Sequence, residues 1–115
     1  MFTKESLLSA KLKVEEVKQN GLAFCCVREL TTAERATFNK KWIEIADDEE
    51  IDAEDVFHAF VACACVCDAD GNRLFSYDDI DSANSIGYVR TLLIKEAADK
   101  INYFTADASE ELKKN

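Results

Sequence analysis

The chain contains no proline and only three glycines among its 115 residues. With so few backbone breakers, its segments must be punctuated by polar turns, and there is too little glycine for a loop that cradles phosphates. Histidine occurs once, at His58. Any histidine-based acid–base or nucleophilic scheme would rest on that side chain alone, no Ser or Cys stands in a recognised nucleophile setting, and the reading is of a non-enzyme with no catalytic residue. Basic residues are the minority: 14 Lys and Arg against 23 Asp and Glu give a formal net charge of -9 and a pI near 4.6. Binding nucleic acid needs a basic face that displaces counterions from phosphates, so this balance argues against it. The longest apolar run, residues 56–67, is too short to span a bilayer and carries His58, so no membrane partner is expected. No secretory signal pattern opens the chain, which reads as cytosolic. Five cysteines, an odd number, fit reduced thiols better than a disulfide framework.

What is present reads as one globular domain. Hydrophobic residues at 48% beside charged residues at 32% are ordinary for a folded protein and argue against wholesale disorder. The expected fold is α+β and mostly α-helical. It is a single domain over residues 1–105, of about four helices with an N-terminal β-hairpin, followed by a polar tail over 106–115. Thr3 is placed to cap a short first helix. Leu12, Val14 and Glu16 alternate towards one face, Asn20-Gly21 is a turn dipeptide, and residues 22–27 are apolar and β-favouring, which predicts the hairpin. Thr31 and Glu34, three apart, form a capping box that starts a helix bearing Phe38, Trp42, Ile45 and Ala46 on one side. The run Asp47-Asp48-Glu49-Glu50 opposes the helix macrodipole and ends it. Asp52 caps the next helix, with Phe57, Phe60, Val61 and Ala64 on its apolar face. Cys63, Cys65 and Cys67 alternate as on a strand, but capping and alanine content favour helix to about Cys65. Ser76 with Asp79 caps a short helix through Ala83. A longer one from about Ile86 carries Val89, Leu92, Leu93, Ala97 and Ile101 on its apolar side.

The organising stretch is residues 56–79, an apolar run broken at the acidic turn Asp68-Ala69-Asp70-Gly71-Asn72. Asp68, Asp70 and Asn72 alternate as in a calcium-binding EF-hand loop. That loop, however, needs glycine at its sixth position and a bidentate Glu at its twelfth, where this chain has Arg73 and Asp79. The simpler reading is a turn in which glycine supplies positive φ. Cys63, Cys65 and Cys67 invite a zinc reading, but a structural site needs four ligands with knuckle spacing, and the remaining thiols are the adjacent Cys25 and Cys26. Small buried apolar residues are the expectation, with neither metal nor cofactor.

Taken in order, Val27-Arg28-Glu29-Leu30-Thr31-Thr32-Ala33-Glu34-Arg35 with Phe38, an acidic connector, and Cys67-Asp68-Ala69-Asp70-Gly71-Asn72-Arg73-Leu74-Phe75 with Asp78-Asp79 resemble the tail assembly chaperones of long-tailed siphophages. The likeness runs on through residues 97–102. It departs from the family pattern in the cysteine-rich stretch, where Leu, Val and Ser are commoner. The resemblance implies a non-catalytic assembly factor made in the host bacterial cytoplasm and absent from the mature virion. Such a protein coats and solubilises the helix-rich tape measure protein and helps recruit tail tube subunits, the latter through a longer product of ribosomal frameshifting. Homo-oligomerisation is compatible with that role. The codons of Lys113-Lys114-Asn115 are the expected place for an A-rich slippery sequence. Phe24, Val27, Leu30, Leu74 and Phe75, which flank the two motifs near element ends, are the expected partner contacts. The competing readings are a small acidic helical adaptor with one defined partner and a calcium- or thiol-metal-binding module. A gene lying between those of the tube and tape measure proteins would favour the chaperone.

Overall fold

The computed structural model describes residues 2–104; the tail over 106–115, with Lys113-Lys114-Asn115, lies outside the described residues. The fold is α+β and mostly helical, as expected. In chain order the elements are α1 (Lys4–Ser9), β1 (Val14–Gln19), β2 (Leu22–Arg28), α2 (Thr32–Ala46), α3 (Ala53–Cys65), β3 (Val66–Cys67), a 3-10 turn (Tyr77–Asp79), α4 (Ile80–Ala83) and α5 (Tyr88–Asn102).

The helix starts follow local chemistry. Thr31 Oγ1 accepts from the Glu34 N–H at 3.1 Å while the Glu34 carboxylate accepts from the Thr31 N–H at 2.9 Å, so two of the orphan donors of the first turn of α2 are satisfied reciprocally. Thr3 with Ser6 and Ser76 with Asp79 form the same box, and the Asp52 carboxylate accepts from the Glu54 N–H at 3.0 Å to open α3. The long C-terminal helix begins at Tyr88 behind Gly87, two residues later than its apolar pattern suggests.

The sheet has the order β1-β2-β3 and is antiparallel throughout. Asn20 and Gly21 both take positive φ, 54° and 83°, the geometry of a two-residue hairpin turn whose twist suits the strands it joins. Val17 pairs with Cys25 and Lys18 with Ala23, which leaves Phe24 as an extra residue in β2. This bulge breaks the alternation, so Phe24 and Cys25 both pack against the core. The alternation of Leu12, Val14 and Glu16 proves to mark the outer face. The core residue of β1 is Val17, 4% exposed, which has the opposite parity and lies beneath Leu93 and Ala97 of α5.

The centre of the domain is α3. Every residue from Ala59 to Cys67 is buried, because α2, α4 and α5 pack on the helix and its last residues run straight into β3. Phe57, Phe60, Val61 and Ala64 do lie inward or half-inward, but no single face describes a helix enclosed on nearly all sides. Cys63 and Cys65 belong to the helix and only Cys67 to a strand, so the three thiols do not share a strand face. Ala46 and Val89, expected on apolar faces, are exposed. In α5 the buried positions are Thr91, Ile94 and Ala98.

Candidate functional site

The acidic turn after β3 uses its own charge. The Asp68 carboxylate accepts from the N–H groups of Asp70 and Asn72 at 2.9 and 3.0 Å and from the Asn72 side-chain amide at 3.2 Å. The hydrogen bonds from Asn72 hold the Asp68 carboxyl below the ordinary aspartate range. Gly71 closes the loop at φ +87°, and a Cβ there would meet Val14 Cγ2 at 3.4 Å and Arg28 Cδ at 3.6 Å. Glycine is thus needed for its backbone conformation, whereas a Cβ would make only ordinary contacts with β1 and β2. Among the described residues no group of three or more His, Cys, Asp or Glu is arranged to share a metal ion.

The thiols are set for burial. Desolvation pushes Cys25, Cys63 and Cys67 up to about 11 and Cys65 up to about 12, so all four are protonated at neutral pH and weak as nucleophiles or ligands. His58 stacks edgewise between the rings of Phe57 and Tyr88, at 6.3 and 5.8 Å.

Around the start of α2 lies a polar seam that joins distant parts of the chain. Arg28 pairs with Glu34 and donates to the Gly71 carbonyl at 3.2 Å. Burial acts to raise the Glu34 carboxyl, but the Thr31 N–H and the Arg28 guanidinium outweigh it and hold the group below its ordinary value. Asn102, at the last turn of α5, accepts from the Leu30 N–H at 2.8 Å and donates to the Arg28 carbonyl at 3.2 Å. Arg35 donates to the Asn102 carbonyl at 2.8 Å and lies 4.5 Å from the ring of Phe104, itself stacked on Phe38. Arg73 donates to the Cys63 carbonyl at 2.7 Å, with its guanidinium 5.2 Å from the Tyr77 ring. These groups fasten the ends of β2, α3 and α5 to one another, while the buried Nε atoms of Arg28 and Arg73 lack a hydrogen-bond partner among the described residues.

The expected partner contacts divide. Val27 is wholly buried and Leu30 is 9% exposed, so the accessibility expected of these two is not met: their side chains belong to the core. Phe24 and Phe75 are half-buried at its margin, Phe24 beneath the Arg90 guanidinium at 4.8 Å. Leu74 alone is well exposed, at 56%. They are also not brought together. Phe24 lies in the middle strand near the hairpin turn, while Leu74 and Phe75 follow the segment that bridges β3 on its other side.

Two further groups of exposed apolar side chains carried no signal in the sequence beyond being apolar. The first is α1, in which no residue is buried, together with Phe2 just before it: Phe2, Leu7 and Leu8 stand in solvent. A helix of six residues lacks the length to be stable in water by itself, and among the described residues none covers its side chains. The second is where the hairpin tip meets the start of α5. Gln19 accepts from Arg90 Nε at 3.1 Å, tying the tip, with exposed Leu22, to the turn of helix that carries exposed Tyr88 and Val89. Beside Tyr88 runs a groove of about 570 Å³ between α3 and the α4–α5 connection, with Glu54 and Asp55 at its rim and Ala59 and Ile86 along it. Such a surface can hold an amphipathic segment that brings apolar and basic groups together.

No family model, curated protein or solved structure matches this chain.

Proposed function

We propose that this domain is a non-catalytic tail assembly chaperone, which binds and solubilises a phage tape measure protein and helps recruit tail tube subunits around it. The reading rests on the ordered motifs over residues 27–38 and 67–79. One structural observation supports it: large apolar side chains, Phe2, Leu7, Leu8, Leu22, Tyr88 and Val89, stand in solvent on a domain of net charge -9. Exposed apolar groups can cover the hydrophobic stripe of a helical client, while like charge keeps the covered complexes apart. Val27 and Leu30, being buried, act by shaping the domain, and Leu74, Phe24 and Phe75 remain as contacts beside the two exposed groups.

Co-expression with the tape measure protein encoded beside this chain tests the proposal. The client's soluble yield should rise with the domain present. The double variant Leu7→Ser/Leu8→Ser should lose much of that gain while keeping the parental melting temperature, since neither side chain is packed. A client equally insoluble with and without the domain would overturn the chaperone reading. A single tight complex with some other defined protein would replace it with the acidic adaptor.

A further inference from the structure

Cys26 of β2 and Cys67 of β3 are direct cross-strand partners. The hydrogen-bond pattern says which kind of pair they form. The Glu29 N–H donates to the Lys13 carbonyl at 2.8 Å, so the odd-numbered residues at this end of β2 turn their peptide groups to β1 and the even-numbered ones turn theirs to β3. From the other side, the Leu74 N–H donates to the Val66 carbonyl and the Asp68 N–H to the Asn72 carbonyl, at 3.0 and 2.9 Å. This leaves the peptide groups of Cys67 facing β2. Cys26 and Cys67 therefore form a hydrogen-bonded pair with Cα atoms about 5.5 Å apart, inside the span a disulfide bridges. Strand parity puts both side chains on the face away from that of Val27 and Val66, which are buried in the core. Cys26 is only half-buried there, whereas Cys67 is buried.

We propose that Cys26 and Cys67 form a thiol–disulfide exchange site, which closes to an intramolecular disulfide on meeting a low-molecular-weight disulfide such as oxidised glutathione. The accessible Cys26 thiolate attacks one sulfur of the small disulfide, forming a mixed disulfide and releasing one small thiolate. The Cys67 thiolate then attacks the Cys26 sulfur and expels the second. The two protein thiols lose two electrons and two protons, and the small disulfide is reduced to two thiols. In a hydrogen-bonded pair the Cβ atoms stand up to about 1 Å wider than a relaxed disulfide prefers, so the bond is strained and readily reduced again. The raised pKa values of both thiols make closure slow at neutral pH and faster as the pH rises. Closure fastens the end of α3 to the middle strand, the junction around which the core is built.

The full chain, reduced and freed of reductant, is treated with oxidised glutathione without denaturant at about pH 8, near the ordinary thiol pKa. Remaining thiols are then blocked and the protein is mapped by non-reducing peptide mass spectrometry. The expected product is a monomer lighter by two hydrogens, with the peptides of Cys26 and Cys67 joined, and reopened by reduced glutathione. Cys25→Ser should give the same bond and Cys26→Ser none. A stable glutathione adduct on Cys26 with Cys67 free, a bond from Cys67 to Cys25, or a dimer joined through Cys26 would each overturn the proposal. Mapping of the parent protein decides between these outcomes whether or not the variants fold.

Discussion

Phe60 is the side chain on which the packing of α3 is best tested. It is 0% exposed, and its ring centroid lies 4.8 Å from that of Phe38, 5.2 Å from Trp42 and 5.2 Å from Tyr77. It thereby joins α3 to α2 on one side and to the 3-10 turn on the other. Replacing it with alanine removes the transfer energy of the ring and leaves a cavity that three rigid aromatic neighbours fill poorly. The expected cost is about 3–5 kcal/mol, against a total stability of about 6–17 kcal/mol for a chain of this length. With a urea dependence of about 1–3 kcal/mol per molar, the unfolding midpoint should fall by about 2 M. Trp42 is the single tryptophan and lies within ring contact of both Phe57 and Phe60, so its fluorescence reports this part of the core while far-UV circular dichroism reports the helices. Phe60→Asp, which buries an unpaired charge, should leave no cooperative transition. Phe2→Ala, at a side chain in full solvent, is the control and should stay within about 0.5 kcal/mol of the parent. A Phe60→Ala midpoint no lower than that of the control would show that Phe60 does not hold the core together.

Asn102→Ala should cost about 1–3 kcal/mol, because the Leu30 N–H and the Arg28 carbonyl lose their partner in a half-buried seam; urea unfolding measures it, and a change under about 0.5 kcal/mol would mean that the seam is wet. The Glu34 carboxyl has a lowered pKa in the folded chain, so its stabilisation is present above the ordinary value of 4.5 and is lost as the pH falls through the folded value. The stability gap between parent and Glu34→Gln should accordingly narrow below about pH 4.5, and a gap that stays constant on acidification would contradict the assignment. Calorimetric titration of the reduced protein should find no calcium or zinc site tighter than about millimolar, since the Asp68 oxygens are engaged by their own loop; a stoichiometric micromolar isotherm would refute this.

The features legible in the sequence are those made within three or four residues. The boxes at Thr31–Glu34 and Ser76–Asp79, the caps at Thr3 and Asp52 and the Asn20-Gly21 turn could all be placed beforehand, because each depends on a side chain meeting a backbone group of its own turn. The acidic turn was legible for the same reason, down to its glycine, although its contact with Val14 was not. The face of β1 is not legible from its own alternation, because the position of α5, which packs on the sheet from far along the chain, decides that Val17 and not Val14 is covered.

Which apolar side chains stay exposed is the least legible feature. Composition and motif order point to an acidic domain with apolar contacts, and a place near element ends singles out Phe24, Val27, Leu30, Leu74 and Phe75. Of these, Val27 and Leu30 are covered once α3 and α5 close over the sheet, and Asn102 reaches across more than seventy residues to bind beside them. Phe2, Leu7 and Leu8 have the same apolar chemistry as the core and remain exposed because none of the described residues packs over them. Local sequence carries the hairpin, most of the helices, their caps and the charge, whereas β3 forms only by pairing with β2 across the chain. Which apolar side chains enter the core and which stay in water is set by tertiary packing, since exposure depends on what packs against a side chain and not on the side chain itself.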